Sequence, residues 1–264
     1  SVAESSEEVS SPILARLMNL CSVAAYLLGD AEGAVSCLRA SLALVPLREE
    51  PSDNVNGISL DPYGLIDSAI KLGALLCDMD DRKEATEVLT SALHAAERSG
   101  LLQDEVDTAC VDAEDEEGYK YPPLGENQQS LLPRRRQVGY LGCQIVAMLH
   151  LAELAIHRMN LDEAQNILHK ANRLVGRVSR ESLDSRVNVQ TWKRFISQLD
   201  TNVTSLLGVV LFRKSPDEPD DALRLLKKAC NQTPDSLYLH LSYGEILSQA
   251  GDLAGSLACF PQAS

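Results

Sequence analysis

The sequence predicts an all-α protein made of antiparallel helix pairs, and three observations predict it. The first is composition. Apolar residues make up 45% of the 264, yet aromatics only 4%, with Ala and Leu dominant and a single Trp192; such a mixture suits helices packed closely through small and straight-chain side chains. The second is a recurring pattern: a small residue, another small residue twelve positions on, and a bulky apolar residue four after that. The third is a short polar turn between the two halves of a copy, as in Leu28-Gly-Asp, Asp78-Met-Asp-Asp and Ala250-Gly-Asp, which breaks one helix and starts the next.

Five copies are visible. Ser22 pairs with Ala34 and Leu38, Gly73 with Ala85 and Leu89, Ala152 with Ala164 and Leu168, Gly208 with Ala222 and Leu226, and Gly244 with Ser256 and Phe260. In the fourth the interval is fourteen, because Ser215 to Asp220 lengthens the turn. The spacing has a physical reason. Small residues that face each other let two helix backbones approach, and bulky neighbours fill the groove beside them.

In chain order, Ser1 to Pro12 is acidic and serine-rich, and residues 1–12 are expected to be a disordered, solvated tail. The array proper covers 13–264, with repeats near 15–48, 66–99, 145–178, 201–236 and 237–264. Residues 47–60, rich in Glu, Asp, Asn, Pro and Gly, read as a surface loop. Residues 100–133 read as a longer one, because Asp104 to Glu117 holds eight acids and no base, and like charges at that density oppose collapse. Between 178 and 200, Val189, Trp192, Phe195, Ile196 and Leu199 recur at helical intervals, predicting either an extension of the next first helix or an added one.

The pattern resembles the tetratricopeptide repeat, W-x2-L-G-x2-Y followed by A-x3-F and then P over 34 residues. Chemistry matches more than identity. First-helix positions hold Met18, Cys21, Ser22 and Ala25 in the first copy and His240, Tyr243, Gly244 and Leu247 in the last; the closing proline stands at Pro46 and Pro234, and the turn glycine at Gly29 and Gly251. Only the last two copies keep the 34-residue interval, Ala222 to Ser256. The resemblance implies a right-handed superhelical solenoid whose first helices line a concave groove for a partner polypeptide. It places on that groove Arg16, Asn19 and Val23; Asp67, Ile70 and Ala74; Val146, Leu149 and Glu153; Asn202, Ser205 and Val209; and Tyr238, Leu241 and Glu245. One subfamily grips acidic chaperone C-termini with Lys, Asn and Arg at these places. Here they hold Asn19, Ile70 and Leu149, so an apolar or amphipathic partner segment suits the lining better. Terminal repeats need polar caps, and neither end shows one in sequence, so the array reads as an excerpt of a longer solenoid.

The reading is therefore a non-enzymatic scaffold or adaptor, a subunit of a larger complex that binds other proteins and needs no cofactor. Two alternatives differ in class. His150, Glu153 and His157 share a helix face and are types that ligate zinc, which would make a metal-dependent enzyme or regulatory domain. The histidines, however, lie about two turns, roughly 10 Å, apart. A helical-repeat groove could also hold RNA, but a net charge of -14 repels phosphate backbones and anionic membranes alike. No G-x-S-x-G, H-E-x-x-H or phosphate-cradling glycine loop is present. Seven cysteines without a C-x-x-C pair read as small buried hydrophobes of a reducing compartment. The richest apolar stretch, Leu141 to Ile156, is interrupted by Gln144, His150 and Glu153, so no membrane insertion is expected. A cytoplasmic location follows, with Arg134 to Arg136 the only hint of a nuclear address.

Overall fold

The computed structural model describes residues 2–44, 62–112, 131–184 and 189–259, with side chains described over 14–44, 64–98, 139–180 and 193–259. Among these residues every regular element is a helix: α1 (Val2–Leu27), α2 (Ala31–Leu44), α3 (Pro62–Asp78), α4 (Arg82–Asp112), α5 (Leu131–His157), α6 (Leu161–Asp184), α7 (Val189–Lys214), α8 (Asp220–Gln232), α9 (Leu237–Gln249) and α10 (Leu253–Cys259). Two compact units divide the chain, 1–150 and 151–264, with the boundary inside α5. In the first unit α1 packs on α2, α2 on α3 and α3 on α4. In the second, α6 packs on α7, α7 on α8, α8 on α9 and α9 on α10.

Two segments differ from the sequence expectation. Residues 2–12, expected as a disordered tail, belong to α1. The loop expected over 100–133 is helical as far as Asp112, and α5 begins at Leu131. Leu102, Val106 and Ala109 keep a helical period and no proline interrupts it, so the acids between them did not prevent the helix. The expected loop at 47–60 lies outside the described residues. So does Phe260.

The small-residue pairs sit where the repeat requires. Ala34, Leu38, Ala85, Leu89, Ala152, Ala164, Leu168, Ala222 and Leu226 are all fully buried, as is Ser22 in all but a trace. A Cβ built on Gly73 would fall 2.6 Å from Cδ2 of Leu89, and one on Gly208 would fall 2.8 Å from Cγ of Leu226 and 3.1 Å from the Ala222 carbonyl oxygen. Both glycines therefore mark a place where the second helix presses on the first. In the last pair a hydroxyl does the joining: Ser256 Oγ donates to the Gly244 carbonyl at 2.7 Å. Ser41 Oγ donates likewise to the Ala15 carbonyl at 2.9 Å, tying α2 to α1 within the protein.

Four of the five turns are built alike. Seven residues after the small residue of the first helix stands a left-handed residue, Gly29 (φ 81°), Asp80 (63°), Met159 (59°) or Gly251 (90°). The next residue's N–H returns to a carbonyl five residues back, Asp30 to Ala25, Asp81 to Leu76, Asn160 to Ala155 and Asp252 to Leu247, each at 2.9 Å. That is the Schellman closure, which satisfies the last carbonyls of a helix. The same Asp or Asn then caps the second helix, its side chain accepting from the N–H three residues later: 2.8 Å at Gly33 and Gly255, but 3.3 and 3.4 Å at Glu84 and Glu163. Glycine there lets the cap close more tightly, because a Cβ on Gly33 or Gly255 would run into the capping carboxylate. One residue thus ends one helix and begins the next.

Met159 is the bulky exception at the left-handed position, and its side chain is exposed. A non-glycine residue there costs about 1 kcal/mol. Met159→Gly is expected to stabilise the protein by about 0.5–1 kcal/mol, read as a higher urea midpoint at unchanged slope; a lower midpoint would refute the strain.

Candidate functional site

The first helices of the later pairs have one face committed to packing. Five residues before and two after the small residue, positions fall against the second helix of the preceding pair. In α9 these are Leu239 and Ile246: Leu239 clusters with Ala229 and Cys230 of α8, and Ile246 with Phe212, Ala222 and Leu226. In α5 the corresponding Ala147 clusters with Ala92, Ala95 and Ala96 of α4 and with Ile66, Ala69 and Ile70 of α3. What remains of each first helix is available to a partner only where it reaches solvent.

In the first unit, Arg16 and Val23 are exposed, Asn19, Asp67 and Ala74 half-buried, and Ile70 and Leu149 buried. Ile70 is part of the core cluster, and half-buried Val146 packs against it. The Asn19 Oδ1 is out of solvent and has no hydrogen-bond partner among the described residues; Asp67 is paired with Lys71 at 2.7 Å. Buried Gln144 donates to the Ala96 carbonyl at 3.2 Å, fixing α5 on α4. The family's groove positions on α5 are therefore mostly spent inside the protein.

In the second unit, Glu153 and Val209 are half-buried, Ser205 is buried and donates to the Asn202 carbonyl at 2.9 Å, and Asn202 is exposed. On α9, Tyr238, Leu241 and Glu245 all face solvent, as does Leu237. Three, four and seven residues apart on a helix make one face. Here Tyr238 and Leu241 expose 67% and 44% of their surface, beside a carboxylate held by Gln249 at 3.2 Å. Neighbouring helices are fixed by polar ties: Lys214 to Asp162 and Gln165 at 2.6 and 2.7 Å, and Gln232 to Asp200 at 2.6 Å.

Chemistry-bearing side chains are arranged differently. No group of three or more His, Cys, Asp or Glu suited to a metal occurs among the described residues. Burial pushes the Cys230 and Cys259 thiols and the Tyr243 hydroxyl up from their ordinary values, with the neighbouring acidic groups adding to the effect. A thiol so shifted carries less thiolate and is a weaker nucleophile. Two helical stretches, Gly139–His157 and Lys193–Lys214, are long and apolar enough to cross a bilayer; 78% of the first is buried inside the protein, as in a core helix.

No family model matches the chain, and no curated protein sequence matches it significantly. Among solved structures it is similar to the MamA protein (14% identity, 94% of this chain and 88% of that one, TM-score 0.47). It is also similar to a MamA of Desulfovibrio magneticus RS-1 (13%, 93% and 90%, 0.46) and to a thermophilic TPR protein of Thermus thermophilus (15%, 94% and 89%, 0.43). Five small-residue pairs, four of them closed by one turn design, make the fold an all-α helical repeat of the tetratricopeptide-like type.

Proposed function

We propose that the chain is a non-enzymatic interaction module that holds a segment of a partner protein against the exposed side of its first helices, α9 foremost. The observation that carries this is the face of Tyr238, Leu241 and Glu245. Large apolar side chains are left in water on a helix whose other face is fully used in packing, and apolar patches rimmed by polar groups mark interaction sites. The fitting partner is an amphipathic segment with one or more basic residues, drawn by Glu245 and by the net charge of -14. Membership of a larger complex belongs to the same proposal.

The test is a photo-crosslinking amino acid placed at Tyr238 or Leu241, compared with exposed Lys227 on α8, in cells expressing the protein at its native level. Partner adducts should form at 238 and 241 and not at 227. Tyr238→Ala and Leu241→Ala should each weaken the same partner's binding about 10-fold to 100-fold. Equal adducts at all three positions, or unchanged binding by both variants, would overturn the assignment.

A further inference from the structure

We propose that α6 carries a second interaction face, opposite in chemistry to the one on α9: a run of arginines that takes an acidic segment of another protein, laid along Arg173, Arg177 and Arg180 across Gly176.

In a chain of 24 bases and 38 acids, residues 164–199 hold seven bases and two acids, and from Ala164 to Arg180 there is no acid at all. The helical period gathers this charge. His169, Lys170, Arg173, Arg177 and Arg180 fall within about a third of the helix circumference, opposite Ala164, Leu168, Ala171, Val175 and Val178, which are buried. All five are exposed except half-buried Arg177. Such crowding works against the helix, since Lys170 with Arg173, Arg173 with Arg177 and Arg177 with Arg180 are like charges one turn apart. The helix dipole does not account for it. Its attraction for bases is confined to the last turn, and the last turn of α6 holds none. Ion pairing does not account for it either. Arg39, Lys71, Lys214, Arg224 and Lys228 each reach a carboxylate, whereas Lys170, Arg173 and Arg180 reach none among the described residues.

The two outer arginines are already positioned. Arg173 Nε donates to the His169 carbonyl at 3.3 Å and Arg180 Nε to the Gly176 carbonyl at 3.2 Å. These bonds hold each side chain along its own helix and leave the Nη groups for the paired contacts that a carboxylate makes. Gly176 lies beside them, and a glycine inside a helix weakens it. A Cβ there would meet nothing within 4 Å among the described residues, so no internal contact demands the missing side chain. Its absence leaves a notch where a partner backbone comes close.

The extent of the face fits a short acidic peptide. From His169 to Arg180 it runs about 16 Å, with Asp162 and Glu163 before it and Glu181 and Asp184 after it in the chain. A segment of about three helical turns ends within those limits. A nucleic acid backbone or an anionic membrane would continue beyond them, against a protein of net charge -14.

The test is fluorescence anisotropy of the full chain with a labelled peptide of about twelve residues built of Glu-Glu-Ala-Ala repeats. It should bind with a Kd at or below about 100 µM at low salt and be released as salt rises. Arg173→Glu combined with Arg180→Glu should weaken binding at least about 10-fold. Lys83→Glu combined with Lys227→Glu, the same charge change at exposed sites on α4 and α8, should weaken it far less. Gly176→Leu should keep the helical signal and the urea midpoint and still weaken binding, a loss that charge alone would not produce. The proposal is overturned by absence of binding, by equal loss in the two double variants, or by unchanged binding in Gly176→Leu. Tighter binding of a single-stranded oligonucleotide or of phosphatidylserine vesicles than of the peptide overturns it as well.

Discussion

Truncation of Leu226 to alanine is expected to lower the stability of the second unit by about 2–5 kcal/mol, in the upper part of that range. Leu226 is fully buried among Phe212, Ala222 and Ile246. Its Cγ lies where Gly208 lacks a side chain, so α7 and α8 are already close and have little room to collapse into the space left behind. The loss should appear as a lower urea midpoint by circular dichroism. Because repeat arrays are stabilised through nearest neighbours, amide exchange should quicken most in α7, α8 and α9. Uniform acceleration along the whole chain would contradict the local character of this packing.

Gly208→Val is the second large effect, about 3 kcal/mol or more. Here the obstacle is partly backbone: the Ala222 carbonyl oxygen stands 3.1 Å from the built Cβ, and a carbonyl inside a helix cannot swing aside as a leucine methyl can. Gly73 offers the contrast, since the atoms met there are all in the Leu89 side chain. Gly73→Ala should therefore be relieved by Leu89→Ala, whose vacated volume takes the added methyl. The pair should show a favourable coupling within about 0.5–3 kcal/mol in a double-mutant cycle. Gly208→Val combined with Leu226→Ala should stay severely destabilised. The third copy shows what accommodation requires, since Ala152 and Leu168 stand in this relation and both are fully buried.

How much of this was legible in the sequence follows from what each signal depends on. Small-residue pairing is a contact between neighbours in one hairpin, so its spacing survives in any one copy, and all five first-helix positions were found where the structure buries them. The turn design was half visible. Gly29 and Gly251 were read as turn residues, but Asp80 and Met159 share their backbone shape without being glycine. The usable sign was the Asp or Asn one residue later, at 30, 81, 160 and 252, which both closes and caps. Groove positions depend on how successive pairs stack, which a pattern within one copy does not encode. Ile70, Leu149 and Ser205, all placed on the groove by analogy, are buried. For Leu149 a warning was present: Leu141, Val146, Leu149, Leu151 and Leu154 surround α5 with apolar residues, and a helix apolar on all sides is an interior helix. The length of α4 was missed because charge was weighed above period from Asp104 to Asp112.

The turn from Ser215 to Pro219 stands apart from the other four: it has no left-handed residue, residues 215–218 are all exposed, and α8 begins after a proline whose carbonyl accepts from Leu223 at 2.8 Å. Elsewhere one Asp or Asn must serve two helices at once, so an added residue would break both ends. Here the two ends are finished separately. This hairpin is accordingly the place where the chain would accept a fluorophore, an affinity tag or a foreign loop, leaving the helices on either side in register.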